Sequence, residues 1–183
     1  MEVFFATSNQ HKFDEASAML RKKGIRLSHL KLEHRELRSD SLEEIAREAV
    51  SAAHKLCGKP VFVEDSGLFI DALNGFPGTF SAWTLKKIGT TGILNLMRGA
   101  AKRDASFEAC IAFHDGKKVS VFKGVCPGAI ALEARGSSGF GYDPVFIPHG
   151  ESSTFAENIE LKTNLSHRYK ALLEFSKSLM SER

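Results

Sequence analysis

Residues 60–83 read PVFVEDSGLFIDALNGFPGTFSAW, and the rest of the chain can be placed around them. Val61, Phe62 and Val63 form a β-branched and aromatic run launched by Pro60, the pattern of a short strand buried on both faces. The run is expected to stop on charge. Glu64 and Asp65 then stand where a parallel strand brings its carboxyl end to a crevice, the usual ligand position in open α/β sheets. An unpaired buried carboxylate is costly, so these acids must meet water, a cation or hydrogen-bond donors. Two readings follow: a metal or catalytic site, or a strand that simply surfaces with one acid capping a turn. Ser66 and Gly67 permit a tight backbone turn, and Gly75, Pro77 and Gly78 make a second rigid one before Thr79 and Ser81 open an expected helix through Trp83 and Leu85. Such turn chemistry close to paired acids favours a shaped pocket wall.

Upstream, Val3 to Ala6 reads as a short apolar strand that runs through Thr7-Ser8-Asn9-Gln10-His11-Lys12 into an amphipathic helix with Phe13, Ala16 and Leu20 on one face, ended by Gly24. This small polar turn exposes the helix's first N–H groups and carries Lys12 in the first turn. That arrangement suits a phosphate, and equally an ordinary N-cap. The Walker pattern is absent. Ile25 to Leu32 is expected to be a second strand, and the charged run Glu33 to Asp40, which contains Glu36, a solvated loop. Ser41-Leu42-Glu43-Glu44 is a capping box, followed at helical spacing by Ile45, Ala46, Ala49, Val50, Ala53 and Leu56 until Gly58 and Pro60 stop the helix.

Downstream, Ser81 to Ile88 and Gly92 to Met97 are helical patterns divided by Gly89-Thr90-Thr91. Ser106 to Phe113 and Lys118 to Gly124 alternate as strands, with a type I′ turn expected at Asp115-Gly116 and a third strand at Ala129 to Glu133. The glycine-dense loop Arg135 to Pro144 holds Phe140 and Tyr142 before an expected strand Val145 to Ile147. Those rings either stack on a flat ligand such as a base or fill a core. Thr154-Phe155-Ala156-Glu157 is another capping-box pattern. Lys162 precedes Ser166-His167-Arg168, where Ser166 is expected to cap a last helix carrying Tyr169, Leu172, Leu173, Leu179 and Met180. A lysine, a histidine and an arginine at one helix N-terminus oppose the helix dipole and so favour a bound anion.

The 183 residues, 43% of them hydrophobic, suffice for one well-cored domain of two lobes spanning residues 1–183. A net charge of +3 is too mild to argue for nucleic acid or a membrane surface, though it is compatible with a small anionic ligand. Cys57, Cys110 and Cys126 suggest neither a disulfide framework nor a zinc site, and read as buried thiols in a reducing compartment. With no recognisable signal peptide or spanning helix, a cytoplasmic location is expected.

In order, Thr7 to Lys12, Glu64-Asp65-Ser66-Gly67-Leu68 with Phe76-Pro77-Gly78, Gly139-Phe140-Gly141-Tyr142-Asp143-Pro144, Thr154 to Glu157, Lys162 and Ser166-His167-Arg168 resemble the motifs of the inosine/xanthosine triphosphate pyrophosphatase family. The resemblance covers nearly the whole chain. It implies an elongated α/β fold in which helices flank a central mixed sheet, with a long substrate cleft between two lobes, and a homodimer. It implies that Thr7, Ser8, Asn9, Gln10, His11, Lys12 and Lys162 hold the triphosphate and that Glu36 and Asp65 hold Mg²⁺. Asp65 would also orient or deprotonate the attacking water, and Ser66 would line the substrate site. Phe140, Gly141, Tyr142, Asp143, His167 and Arg168 would receive the base. Many relatives also carry a lysine in the second helix where this chain has Ala49. The implied reaction converts ITP, dITP or XTP to the nucleoside monophosphate and pyrophosphate. The alternatives are a nucleotide-sensing module without turnover and a phosphatase that releases the terminal phosphate.

Overall fold

The computed structural model describes residues 2–31 and 37–181. Strands β1 (Glu2–Ala6), β2 (Arg26–Leu30), β3 (Val61–Ile70), β4 (Pro77–Gly78), β5 (Asp104–His114), β6 (Val119–Ile130) and β7 (Phe146–Pro148) form one sheet of order β2-β1-β3-β5-β6-β7, with β4 pairing with β3. β1 lies parallel to β2 and to β3, whereas β3–β4 and β6–β7 are antiparallel, so the sheet is mixed as expected. The helices are α1 (Gln10–Arg21), α2 (Leu42–Cys57), α3 (Ser81–Leu96), α4 (Ile159–Leu165) and α5 (His167–Ser181).

The chain divides into two compact units. One is drawn from Met1–Asp65, Ala109–Gly124 and Arg168–Arg183, and its core gathers Val3, Phe5, Leu20, Phe62, Ile111, Leu172 and Phe175. Inside it Phe5 stacks on Phe62 at 4.3 Å between ring centroids, and Phe62 meets Phe175 at 4.9 Å. The other is drawn from Ser66–Glu108 and Val125–His167, with Leu68, Ile70, Ile93, Met97, Phe107, Phe146 and Phe155 in its core.

Local signals explain most boundaries. Ser41 accepts a hydrogen bond from the Glu44 N–H at the start of α2, and Gly58 closes that helix in the left-handed region at φ 62°. Gly89, at φ 63° and ψ −173°, kinks α3 between the segments expected on either side of it.

Other boundaries differ from expectation. β3 does not stop at Glu64 and Asp65 but continues to Ile70, because cations compensate Glu64 and because Gly67 and Leu68 pass against β4. A Cβ at Gly67 would lie 2.3 Å from the Gly78 carbonyl oxygen, so only glycine permits this crossing. The turn at Asp115 is not type I′, since Asn74 is the sole non-glycine at positive φ among the described residues. The Asp115 carboxylate instead accepts from Lys117 N (2.6 Å) and Lys118 N (2.8 Å). The expected third strand at Ala129 begins inside β6. Thr154 and Glu157 do form the reciprocal pair of a capping box, yet they close a turn. Asn158 caps α4 by accepting from Glu160 N and Leu161 N. Ser166 lies between α4 and α5, its N–H bonded to the Lys162 carbonyl. Cys110 and Cys126 are buried as expected, whereas Cys57 is half-exposed.

Candidate active site

In the first unit the site is built where β1 turns into α1. Asn9 is the N-cap, its Oδ1 accepting from Lys12 N at 3.3 Å while its own N–H donates to Thr7 Oγ1 at 3.1 Å. The turn therefore closes on itself and delivers Lys12 to β3. The Lys12 ammonium lies 3.1 Å from the Glu64 carbonyl oxygen and 3.3 Å from Glu64 Oε2. Glu64 is the next residue after three buried apolar ones, and its carboxylate is 1% exposed. It takes a second cation from α5, with Arg168 Nε at 3.1 Å and Nη2 at 3.3 Å from its two oxygens. Arg168 also donates from Nη1 to Glu15 on α1 at 2.7 Å. Burial pulls the guanidinium's pKa down, but Glu64 and then Glu15 outweigh it and hold Arg168 protonated beyond its ordinary range.

Asp65 follows Glu64, points to the other side of the strand by its pleat and is half-buried. Glu64 is thus buried in ion pairs with cations from α1 and α5. Thr7 and Asn9 are half-buried, and Ser8, Gln10 and His11 are exposed along the turn, with Gln10 Nε2 donating to Asp14 at 2.8 Å. Glu36 lies outside the described residues.

In the second unit the glycine-dense loop is organised by Asp143. Its Oδ2 accepts from Phe140 N at 2.7 Å and from Lys162 Nζ at 2.6 Å, and the same ammonium sits 4.0 Å from the Phe140 ring centroid. Gly139, at φ 76°, gives the carboxylate room: a Cβ there would fall 2.2 Å from Asp143 Oδ2. Lys162 and Asp143 are each 4% exposed, so the ammonium expected at the triphosphate is buried against a carboxylate. The two rings of the loop part ways. Phe140 and Gly141 stay half-exposed, while Tyr142 enters the core, donates to the Ser81 carbonyl at 2.8 Å and has its phenol pushed up to about 12 by burial. The core-filling alternative therefore describes Tyr142. Ser66 is half-buried, and the buried His167 lies on Phe107, with ring centroids 4.7 Å apart and planes 12° from parallel. His167 and Arg168 are neighbours in sequence with separate partners, an aromatic ring for one and carboxylates for the other.

Among the described residues no three His, Cys, Asp or Glu side chains are grouped to hold a metal ion. Mg²⁺ requires less. It commonly binds through one or two carboxylates, keeps several waters and takes the rest from substrate phosphates. Asp65, a half-buried carboxylate next in sequence to the residue that holds Lys12, fits that donor chemistry.

Two residues escaped the sequence reading. Glu15 stands one turn after Lys12 on α1, but its partner Arg168 is 153 positions away, and nothing local announces the pair. His29 of β2 reaches the Thr7 carbonyl at 2.8 Å.

The fold and these charged groups define the class: an open mixed-sheet α/β protein with a candidate phosphate site at its first strand-to-helix turn. A family model described as Ham1 family matches residues 3–178, and the chain belongs to the Ham1 family. It is 49% identical over 178 residues to a dITP/XTP pyrophosphatase of Methanopyrus kandleri, covering 96% of this chain and 95% of that one. It is 44% identical over 182 residues to a protein of the same name from Saccharolobus solfataricus, covering 99% and 95%. Among solved structures it resembles the Staphylococcus aureus Ham1 protein at TM-score 0.87 and 30% identity, covering all of both chains. A HAM1 protein from Coxiella burnetii gives a TM-score of 0.86 at 31% identity over 99% of each chain.

Proposed function

We propose that this chain hydrolyses the deaminated purine nucleoside triphosphates ITP, dITP and XTP between the α and β phosphorus atoms, releasing the nucleoside monophosphate and pyrophosphate. Relatives alike over nearly their full length carry the name dITP/XTP pyrophosphatase, which supports the reading. The observation that carries it is the contact of Lys12, in the first turn of α1, with Glu64, the residue before Asp65. It sets the proposed phosphate-binding cation against the strand residue that precedes the proposed catalytic Asp65.

In this reading the turn from Thr7 to Lys12 holds phosphate through backbone N–H groups, the helix dipole and the Lys12 charge. Asp65 orients the attacking water and accepts its proton. Glu64, neutralised by Lys12 and Arg168, fixes both cations. Mg²⁺, held by Asp65 and Glu36, would neutralise phosphate charge. In the second unit Asp143 and Lys162 keep Phe140 in place to stack on the base, and Ser66 lines the substrate. Lys162 is assigned to this ordering, and not to the phosphates, because its ammonium is bonded to Asp143. His167 and Arg168 recognise the 6-carbonyl, Arg168 in the orientation set by Glu64 and Glu15.

The proposal includes a homodimer acting in the cytoplasm. No helix among the described residues is long and apolar enough to cross a membrane. Hydrolysis of dITP, with pyrophosphate and orthophosphate quantified separately, tests the reaction. A sensing module yields neither product, and a terminal phosphatase yields orthophosphate.

A further inference from the structure

We propose that His29 is a positioning residue for the phosphate-binding turn, aiming the Ser8 N–H by holding the Thr7 carbonyl. This rests on the reading that the turn holds phosphate. β1 and β2 run parallel with Phe5 opposite His29 and Ala6 opposite Leu30, and the last backbone contact of the pair is Thr7 N–H to the Leu30 carbonyl at 3.1 Å. Beyond it the chain leaves the sheet. The Thr7 carbonyl lies 2.8 Å from His29 Nε2. A carbonyl only accepts, so Nε2 carries the proton, and it does so in the imidazolium and in one neutral tautomer alike. Both peptide groups of Thr7 are thereby tied to β2.

The consequence follows from the planarity of the next peptide. The Thr7 carbonyl and the Ser8 N–H belong to one trans unit and point in opposite directions. Holding the carbonyl toward His29 turns the Ser8 N–H away from it, at an exposed position of the turn. Further contacts carry the constraint forward, from Asn9 N to Thr7 Oγ1 and from Lys12 N to Asn9 Oδ1. The His29 ring is itself fixed, stacked on Phe13 at 4.2 Å and 9°, and Phe13 is the residue after Lys12. A half-buried carbonyl finds water readily, so the bond adds little to folding. Its effect is on the shape of the turn before substrate arrives.

Two substitutions separate the donor from the ring. His29→Phe keeps the stack on Phe13 and removes the N–H, whereas His29→Gln places an amide nitrogen near the position of Nε2 without the ring. The readouts are KM and kcat for dITP and the inhibition constant of inorganic tripolyphosphate, which has no base. His29→Phe is expected to raise KM and the inhibition constant together by about three- to tenfold, the effect of one lost hydrogen bond, with kcat nearly unchanged. His29→Gln is expected to restore both. Should His29→Phe fail to fold, His29→Asn, too short to reach the carbonyl, replaces it. Unchanged constants in His29→Phe, or equal rises in His29→Phe and His29→Gln, overturn the inference. Lys12→Ala tells the two failures apart. If it weakens tripolyphosphate while His29→Phe does not, only the role of His29 falls; if it leaves tripolyphosphate binding untouched, the phosphate reading falls and the inference with it.

Discussion

Glu64 and Asp65 are adjacent acids with different physical situations, and the difference separates stability from catalysis. Glu64 is buried between Lys12 and Arg168, so Glu64→Gln removes the counter-charge that these two cations share. Removing one partner of a buried pair costs about 3–5 kcal/mol, and a clear fall in Tm is expected by calorimetry. Asp65 is half-buried and carries the proposed proton transfer. Asp65→Asn should lower kcat by more than about 10²-fold while Tm stays near that of the unmodified protein. A kcat loss confined to Glu64→Gln would reverse the two roles. The adjacent acids, and Lys12 in the turn upstream, were legible in the sequence because each belongs to a short motif. That Glu64 is buried in ion pairs was not. Its partner Arg168 lies 104 positions away, and only the packing of α5 brings it to β3.

Helix starts and loops show the same division between local and distant causes. Ser41 and Glu44 stand at the two ends of one four-residue segment, so the start of α2 was readable. At Thr154 and Glu157 the pattern was equally readable, but the segment that follows makes a turn, and Asn158 became the cap of α4. Asn158→Ala should lower stability by about 1 kcal/mol, measured by denaturant unfolding, with Thr154→Ala acting on the turn alone. Tyr142 belongs to the same scale, because its hydroxyl ties the glycine-dense loop to the first residue of α3. Burial raises the phenol from 10.0 to about 12, so the folded state retains a proton that the unfolded chain gives up first. The stability this provides is present below pH 10 and is lost as pH rises toward 12. Thermal unfolding between pH 10 and 12 should show that decline, and Tyr142→Phe should remove part of it. Absorbance of tyrosinate released at ordinary pH in the folded protein, assigned to Tyr142 by the same substitution, would contradict the burial argument.

At the scale of the whole molecule, the α/β class followed from alternating strand and helix signals and the mixed sheet from the resemblance to the family, whereas the continuation of β3 to Ile70 depended on charges supplied by other elements. The turn from β1 into α1 was readable as a strand-to-helix motif; the placement of Lys162 on Asp143 required the loop to fold. If carboxylate-held Mg²⁺ is required, dialysis against a chelator should abolish turnover and added Mg²⁺ should restore it, while Tm shows the chain still folded. In the proposed reading base choice follows from hydrogen-bond polarity: the 6-carbonyl of hypoxanthine and xanthine would accept from Arg168, whereas the 6-amino group of adenine would meet donors with a donor. Each such mismatch costs about 1–3 kcal/mol, so kcat/KM for dITP and XTP should exceed that for ATP by about 10²-fold or more. The most direct test is to incubate the purified chain with dITP and Mg²⁺, without added pyrophosphatase, and to quantify every product, with ATP in parallel. The account predicts dIMP and pyrophosphate in equal amounts from dITP and little turnover of ATP; dIDP with orthophosphate, or ATP consumed as readily as dITP, would contradict it.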